Sequence, residues 1–254
     1  MKEIITVQGL VKHYYRNHDK KNPDAKIEVL KGLDLSIQEG EYVSIMGSSG
    51  SGKTTLLKII GMIEPFTDGK VCFKGQDVSK LWKDELADIR RKEIGFVFQD
   101  FYLMDSLSVG ENIMVPMILD KAPAKKMKKK MNDLAEGFGV EKLIDKQPRE
   151  LSGGEKQRTA ICRALINDPD VIMADEPTGN LDAKSSRILM ELFDYIHQSM
   201  KKNIILVTHD PKIACRSEKI FFVGDGIITT VLKKEEDTQT FYRKILGQME
   251  KMEE

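Results

Sequence analysis

The sequence predicts an α/β protein, a mixed sheet flanked by helices with a helical subdomain inserted into it. Three observations carry this. Short apolar runs alternate along the chain with segments of helical spacing, the order that builds layered α/β domains. Two of the runs, Val171 to Ala174 and Ile204 to Thr208, are almost wholly apolar, as strands covered on both faces are. The stretch from Asp100 to about Asp168 lacks strand signals and is rich in Met, Leu, Lys and Glu, which reads as helices.

In chain order, the alternation around Ile4 to Gln8 predicts an opening strand, and Asn17 to Lys26 a polar loop containing Pro23. Val29 to Ile37 predicts a second strand, closed by Glu39-Gly40, and Tyr42 to Met46 a short buried strand running into glycines. Thr54 to Ile63 has helical spacing, while Val71 to Phe73 and Ile94 to Phe98 read as strands. The helical subdomain, about 100–168, carries the lysine run Lys125 to Lys130, read as a solvated helix face with Met127, Met131 and Leu134 beneath it. The alternative is attraction to an anionic membrane surface. The tail, about 233–254, places Phe241, Ile245, Met249 and Met252 on one helix face. That face is expected to pack on its own domain, with a dimer or partner contact as the alternative.

Composition narrows the function. Forty basic and forty acidic residues leave no net charge, which argues against nucleic acid as the partner. Cys72, Cys162 and Cys215 are odd in number and widely spaced, so neither a disulfide framework nor a zinc site is expected. The N-terminus has no apolar signal core, and no apolar run reaches the ~18 residues a membrane span needs. Membrane association is therefore expected through a partner.

The chemistry begins at Gly47-Ser48-Ser49-Gly50-Ser51-Gly52-Lys53-Thr54, followed by Thr55. It fits G-x-x-x-x-G-K-[ST] between a strand and a helix. Glycines let successive N–H groups point inward at phosphate oxygens, and the helix start adds partial positive charge. Lys53 reaches the β- and γ-phosphates, and the Thr54 hydroxyl is placed for Mg²⁺. The run Val171 to Glu176 supplies acids at a strand end. Asp175 is expected to hold the Mg²⁺. Glu176, pointing the other way, is expected to orient and deprotonate an attacking water.

Between these motifs lies Leu151-Ser152-Gly153-Gly154-Glu155-Lys156-Gln157-Arg158. Beside a P-loop, this phrase resembles the signature of the ATP-binding-cassette (ABC) ATPases, and the resemblance extends over nearly the whole chain. It implies a P-loop NTPase core with a RecA-like mixed sheet, an N-terminal antiparallel β part, the inserted helical subdomain, and one ABC domain over 1–254. It implies roles as well. Gln99, in Phe96-Val97-Phe98-Gln99-Asp100, is similar to the Q-loop glutamine, which ligates Mg²⁺ and reports nucleotide state. Asp182, in Asn180-Leu181-Asp182, resembles the D-loop aspartate. His209, in Val207-Thr208-His209-Asp210, resembles the switch histidine at the γ-phosphate. Tyr14 resembles the aromatic that stacks on adenine. Ser152, Gly153 and Gly154 would meet the γ-phosphate bound by a second copy, so ATP would glue a head-to-tail homodimer that hydrolysis releases. Glu155 stands where many relatives have Gln.

Within the family, Ser44 to Gly47, Ile94 to Gln99 and Ala174 to Asp182 resemble the MacB, LolD and FtsE branch, which pairs with FtsX-like permeases. Phe98-Gln99-Asp100, Lys156 to Thr159, Thr208 to Pro211 and Asp237 to Tyr242 are most similar to bacitracin-resistance (Bce-type) ATPases. The resemblance implies an ATP- and Mg²⁺-dependent ATPase, peripheral on the inner face of the cell membrane. It would energise antimicrobial-peptide export or target release, with a two-component sensor kinase reached through the permease. The alternative is an FtsE- or LolD-like mechanical ATPase for envelope remodelling or lipoprotein release. Phe101 to Met104 and Met114 to Met117 are expected to help line a groove for a permease coupling helix. DNA-repair ATPases need long coiled-coil inserts, for which the chain from Gln99 to Leu151 leaves no room.

Overall fold

The computed structural model describes residues 2–16, 25–235 and 237–253. Most of the polar loop expected at Asn17 to Lys26 lies outside the described residues. The chain divides into two compact units, Met1–Leu86 with Ile205–Glu254, and Ala87–Ile204.

The first unit opens with β1 (Glu3–Tyr15) and β2 (Lys26–Gln38), both longer than their apolar cores suggest. They join β4 (Asp68–Phe73) and β5 (Gln76–Asp77) in an antiparallel sheet of order β2-β1-β4-β5. Its register follows side-chain burial. Ile5 lies opposite Ile37 and Phe73, and Val7 opposite Leu35 and Val71, all buried. Matching buried faces in this way holds the pairing, because a one-residue slip would turn every apolar side chain to water.

Between these strands comes β3 (Tyr42–Met46), buried at every residue. It pairs in parallel with β9 (Lys219–Gly224), and β9 pairs antiparallel with β10 (Ile227–Lys233). Asp225 and Gly226 form the turn with φ of 48° and 83°, the two positive values that a tight type I′ hairpin requires. The strand order in this unit is β10-β9-β3, so a mixed sheet stands beside the antiparallel one. Helix α1 (Lys53–Ile60) follows β3 and buries Leu56, Leu57, Ile59 and Ile60.

The tail forms α8 (Thr238–Glu253), near the one-turn helix α7 (Pro211–Ala214). Phe241 and Ile245 bury against Met46, Ala214, Ile220 and Phe222, and Met249 and Met252 pack partly against the same cluster. Packing on its own unit therefore accounts for the apolar stripe. Phe241→Ala is expected to lower stability by about 3–4 kcal/mol through lost contacts and the cavity left behind. Thermal and urea unfolding would read this, and a loss below about 1 kcal/mol would mean the helix is not docked in solution.

The second unit holds β6 (Ile94–Phe98) parallel to β7 (Val171–Asp175), with Phe98 opposite Asp175. The order here is β8-β7-β6, and the unit ends inside β8 (Asn203–Val207). Its helices are α3 (Val109–Leu119), α4 (Ala124–Gly137), α5 (Gly153–Leu165) and α6 (Ala183–Gln198). Helix α4 carries the lysine run. Met131 and Ala135 are buried, while Lys125, Lys126, Lys128 and Lys129 face solvent. Lys130 turns back to donate to the Ile166 carbonyl at 3.3 Å.

Helix α2 (Lys83–Lys92) and strand β10 have no counterpart among the predicted elements. No residue of α2 is buried. Asp84 and Glu85 stand in its first turn and Arg90, Arg91 and Lys92 in its last, charges that suit the helix dipole at both ends. No helix among the described residues is long and apolar enough to cross a membrane.

Candidate functional site

In the first unit, β3 delivers the chain into the phosphate loop and α1 takes it out. A Cβ on Gly47 would lie 2.1 Å from the Val223 carbonyl oxygen. Only glycine lets the loop leave β3 this close to β9. Gly52 caps α1 in a left-handed conformation, so the helix amides are left without a side-chain cap, open to an anion. Lys53 is 9% exposed, and its ammonium donates to the carbonyls of Gly47 at 3.0 Å and Ser48 at 2.7 Å. The lysine thus braces the loop that it serves. Ser51 is 6% exposed, and its hydroxyl has no hydrogen-bond partner among the described residues. A buried hydroxyl left so costs free energy, and a phosphate oxygen would satisfy it. Ser48, Ser49 and Gly50 are exposed. Together with Gly224, Gln248 and Lys251 they line a cleft of about 610 Å³.

Tyr14 stands near the end of β1. Its hydroxyl donates to Glu64, and the Thr55 side chain hydrogen-bonds the same phenol. Burial, and then the Glu64 carboxylate, push its pKa up to about 12. His209 is exposed just beyond β8. Its neighbours are fixed: the Asp210 amide donates to the Thr208 hydroxyl at 3.1 Å, and the Asp210 carboxylate accepts from the Lys212 amide at 2.7 Å.

In the second unit, the pairing of β6 with β7 sets the Q-loop beside the acidic strand end. Glu176 does not continue the strand alternation. Its φ is 46°, left-handed, so its direction comes from a strained turn closed by the Gly179 amide donating to the Glu176 carbonyl at 3.0 Å. The Gln99 side-chain amide donates to the Asn180 side chain at 3.3 Å, and Asn180 donates back to the Gln99 carbonyl at 3.2 Å. A Cβ on Gly179 would approach the Gln99 carboxamide to 2.9 Å. Q-loop and D-loop therefore form one interlocked patch. Asp182 caps α6, accepting from the amides of Lys184 and Ser185 at 2.9 Å each. The Ser185 hydroxyl and these amides hold its carboxyl below the ordinary aspartate value.

The signature opens α5 with a capping box. The Ser152 amide and hydroxyl donate to Glu155 at 2.7 and 2.8 Å. Those bonds, the backbone one first, hold the Glu155 carboxyl below its usual value. A Cβ on Gly153 would stand 3.4 Å from the Asn180 carbonyl oxygen, so signature and D-loop of one chain are in contact.

Two residues of α5 without an expected role tie this patch together. Gln157 is fully buried and donates to the carbonyls of Pro177 at 2.8 Å and Phe98 at 3.4 Å. Arg163 donates to the carbonyls of Phe101, at 2.7 Å, and Tyr102, both left-handed at φ of 62° and 45°. A guanidinium fork can hold two such carbonyls at once. Nothing in sequence spacing marks these partners, which lie 20 residues away for Pro177 and 59 to 62 away for the others. Beside them a groove of about 320 Å³ is lined by Arg90, Phe96, Phe98, Tyr102, Pro116 and Arg163.

The hydroxyl of Thr54, the carboxylate of Asp175 and the amide oxygen of Gln99 are hard donors of the kind Mg²⁺ takes. Among the described residues no group of three His, Cys, Asp or Glu could cage a metal alone. A Mg²⁺ carried on nucleotide phosphates needs only one or two protein oxygens, and each of these side chains has the chemistry to supply one.

The family model described as ABC transporter matches residues 30–179. This chain belongs to the ABC transporter family. It is 43% identical to the bacitracin export ATP-binding protein BceA of Halalkalibacterium halodurans, over 87% of this chain and 88% of the relative. It is 38% identical to the lipoprotein-releasing system ATP-binding protein LolD 1 of Rhodopseudomonas palustris, over 90% of this chain and 99% of that one. Among solved structures, the dimeric bacterial ABC transporter cassette MJ0796 superimposes with a TM-score of 0.83 at 37% identity, covering 92% of this chain and 100% of that one. A post-hydrolysis state of MJ0796 bound to ADP and phosphate scores 0.82 at 36% identity, with the same coverage. The protein is an ABC ATPase cassette, the ATP-binding subunit of a transporter.

Proposed function

We propose that this ABC cassette energises an FtsX-like permease that confers resistance to bacitracin-type antimicrobial peptides, by export or by release of their target, from the inner face of the cell membrane. The observation that carries the peptide reading is the 43% identity to a bacitracin export ATP-binding protein along nearly the whole length of both chains. In this reading Tyr14 stacks on adenine. Gly47 to Thr55 wrap the phosphates, with Lys53 on the β- and γ-oxygens. Thr54, Gln99 and Asp175 hold Mg²⁺, which neutralises phosphate charge when bound. Glu176 takes a proton from the attacking water, and His209 contacts the γ-phosphate and holds that water-activating group in place. Ser152, Gly153, Gly154 and Asp182 complete the site of a second copy, which makes the dimer head-to-tail and ATP-dependent. Tyr102 and Pro116 belong to the groove that would seat the permease coupling helix, and Arg163 joins that groove to the signature helix.

Purifying the tagged chain from detergent-solubilised membranes and identifying what accompanies it tests this. The expected companion is an FtsX-like permease with a large extracellular domain, and a sensor kinase would arrive with it. A compact permease of few spans would replace the peptide reading with the lipoprotein-release or remodelling one. Recovery without any membrane protein would overturn the permease assignment.

A further inference from the structure

We propose that Lys12 and Glu64 are positioning residues for adenine recognition, clamping the Tyr14 ring in its stacking orientation. The inference rests on the reading of Tyr14 as the partner of adenine. All of these residues lie in the first unit. Lys12 is 8% exposed although it is a lysine on a strand. Its ammonium lies 2.8 Å from the Glu64 carboxylate, donates to the Pro65 carbonyl at 2.7 Å, and sits over the Tyr14 ring 4.7 Å from its centroid. The same Glu64 oxygen accepts the Tyr14 hydroxyl. One carboxylate thus holds both the cation on the ring face and the far end of the ring.

Two consequences follow. A tyrosine in an exposed position samples several rotamers and loses them on binding a ligand, which weakens binding. Here the ring is held at its hydroxyl and at one face before any ligand arrives. The ammonium also occupies one face of the ring by cation–π attraction, so a purine has the other. Tyr14 is 37% exposed, which leaves surface for it. The clamp is joined to the phosphate site as well, since Thr55 in α1 hydrogen-bonds the Tyr14 phenol. Base and phosphate recognition then share a fixed spacing.

The test compares two probes on the full chain, ATP and inorganic triphosphate, by calorimetric titration. Glu64→Ala is expected to weaken ATP by about 3–10-fold, the scale of one side chain left to be ordered on binding, with triphosphate binding unchanged. Glu64→Gln, which still accepts a hydrogen bond, is expected to restore most of the loss. Lys12→Met keeps the apolar stem and removes the cation, and should act like Glu64→Ala should that variant fold poorly. Equal loss for both probes would show a general effect on the phosphate loop and overturn the clamp. So would no loss in either variant. Tyr14→Ala separates the underlying reading: unchanged ATP affinity there removes the stacking role itself. With stacking intact, the effects of Tyr14→Ala and Glu64→Ala must be non-additive.

Discussion

Glu176→Gln is expected to keep ATP bound while slowing its hydrolysis by about 10²–10⁴-fold, the scale for losing a general base. At about 1.36 kcal/mol per decade, this is roughly 3–5 kcal/mol of transition-state stabilisation. The substitution keeps the shape of the side chain. The turn that aims it is closed by backbone, from the Gly179 amide to the Glu176 carbonyl, so it does not depend on the carboxylate. Removing only the base makes the effect kinetic. Bound ATP then persists, and mass action favours the form that binds it. A dimer that appears with ATP and outlasts the wild-type one is the second expected readout, by light scattering. Turnover within a few-fold of wild type would remove Glu176 from the role of base.

Lys53→Ala is expected to act at binding instead. A charge-assisted hydrogen bond is worth about 1.5–3 kcal/mol, which corresponds to roughly 10–100-fold in ATP affinity. The structure adds a reason for the larger figure. The same ammonium braces the carbonyls of Gly47 and Ser48, so its loss would also slacken the loop whose amides are proposed to bind phosphate. Titration with a fluorescent ATP analogue reads this directly, and a change below threefold would discard the assignment. The two variants divide the work of the site: one loses the chemical step with binding kept, the other loses binding itself.

Some of this was legible in the residues because the cause is local. Strands β3 and β6 match their predicted bounds, as each is a short apolar run with turn residues at its ends. The phosphate loop and the signature could be read because helix-start anion sites need glycine, serine and lysine at fixed spacing. Strand β10 escaped because one side of it is exposed and its residues alternate weakly. Helix α2 escaped because none of its residues is fully buried and charged residues fill most of it, with its apolar Leu86, Ala87 and Ile89 only half-covered. The helices expected at about 100–168 are present, within a larger unit, Ala87–Ile204, that also holds β6, β7 and α6.

By itself the sequence determined that the chain is an ABC ATPase, since the glycine-rich loop, the Asp-Glu strand end and the LSGG phrase are each written by near neighbours in the chain. Only the tertiary structure decided how those groups are held. Lys12 meets Glu64, Gln99 meets Asn180, and Arg163 reaches the Phe101 and Tyr102 carbonyls, each across fifty residues or more of chain. Such pairs leave no periodicity to read, because the chain brings them together only when strands pair and helices pack, and a donor buried there, as Lys12 is, must find an acceptor.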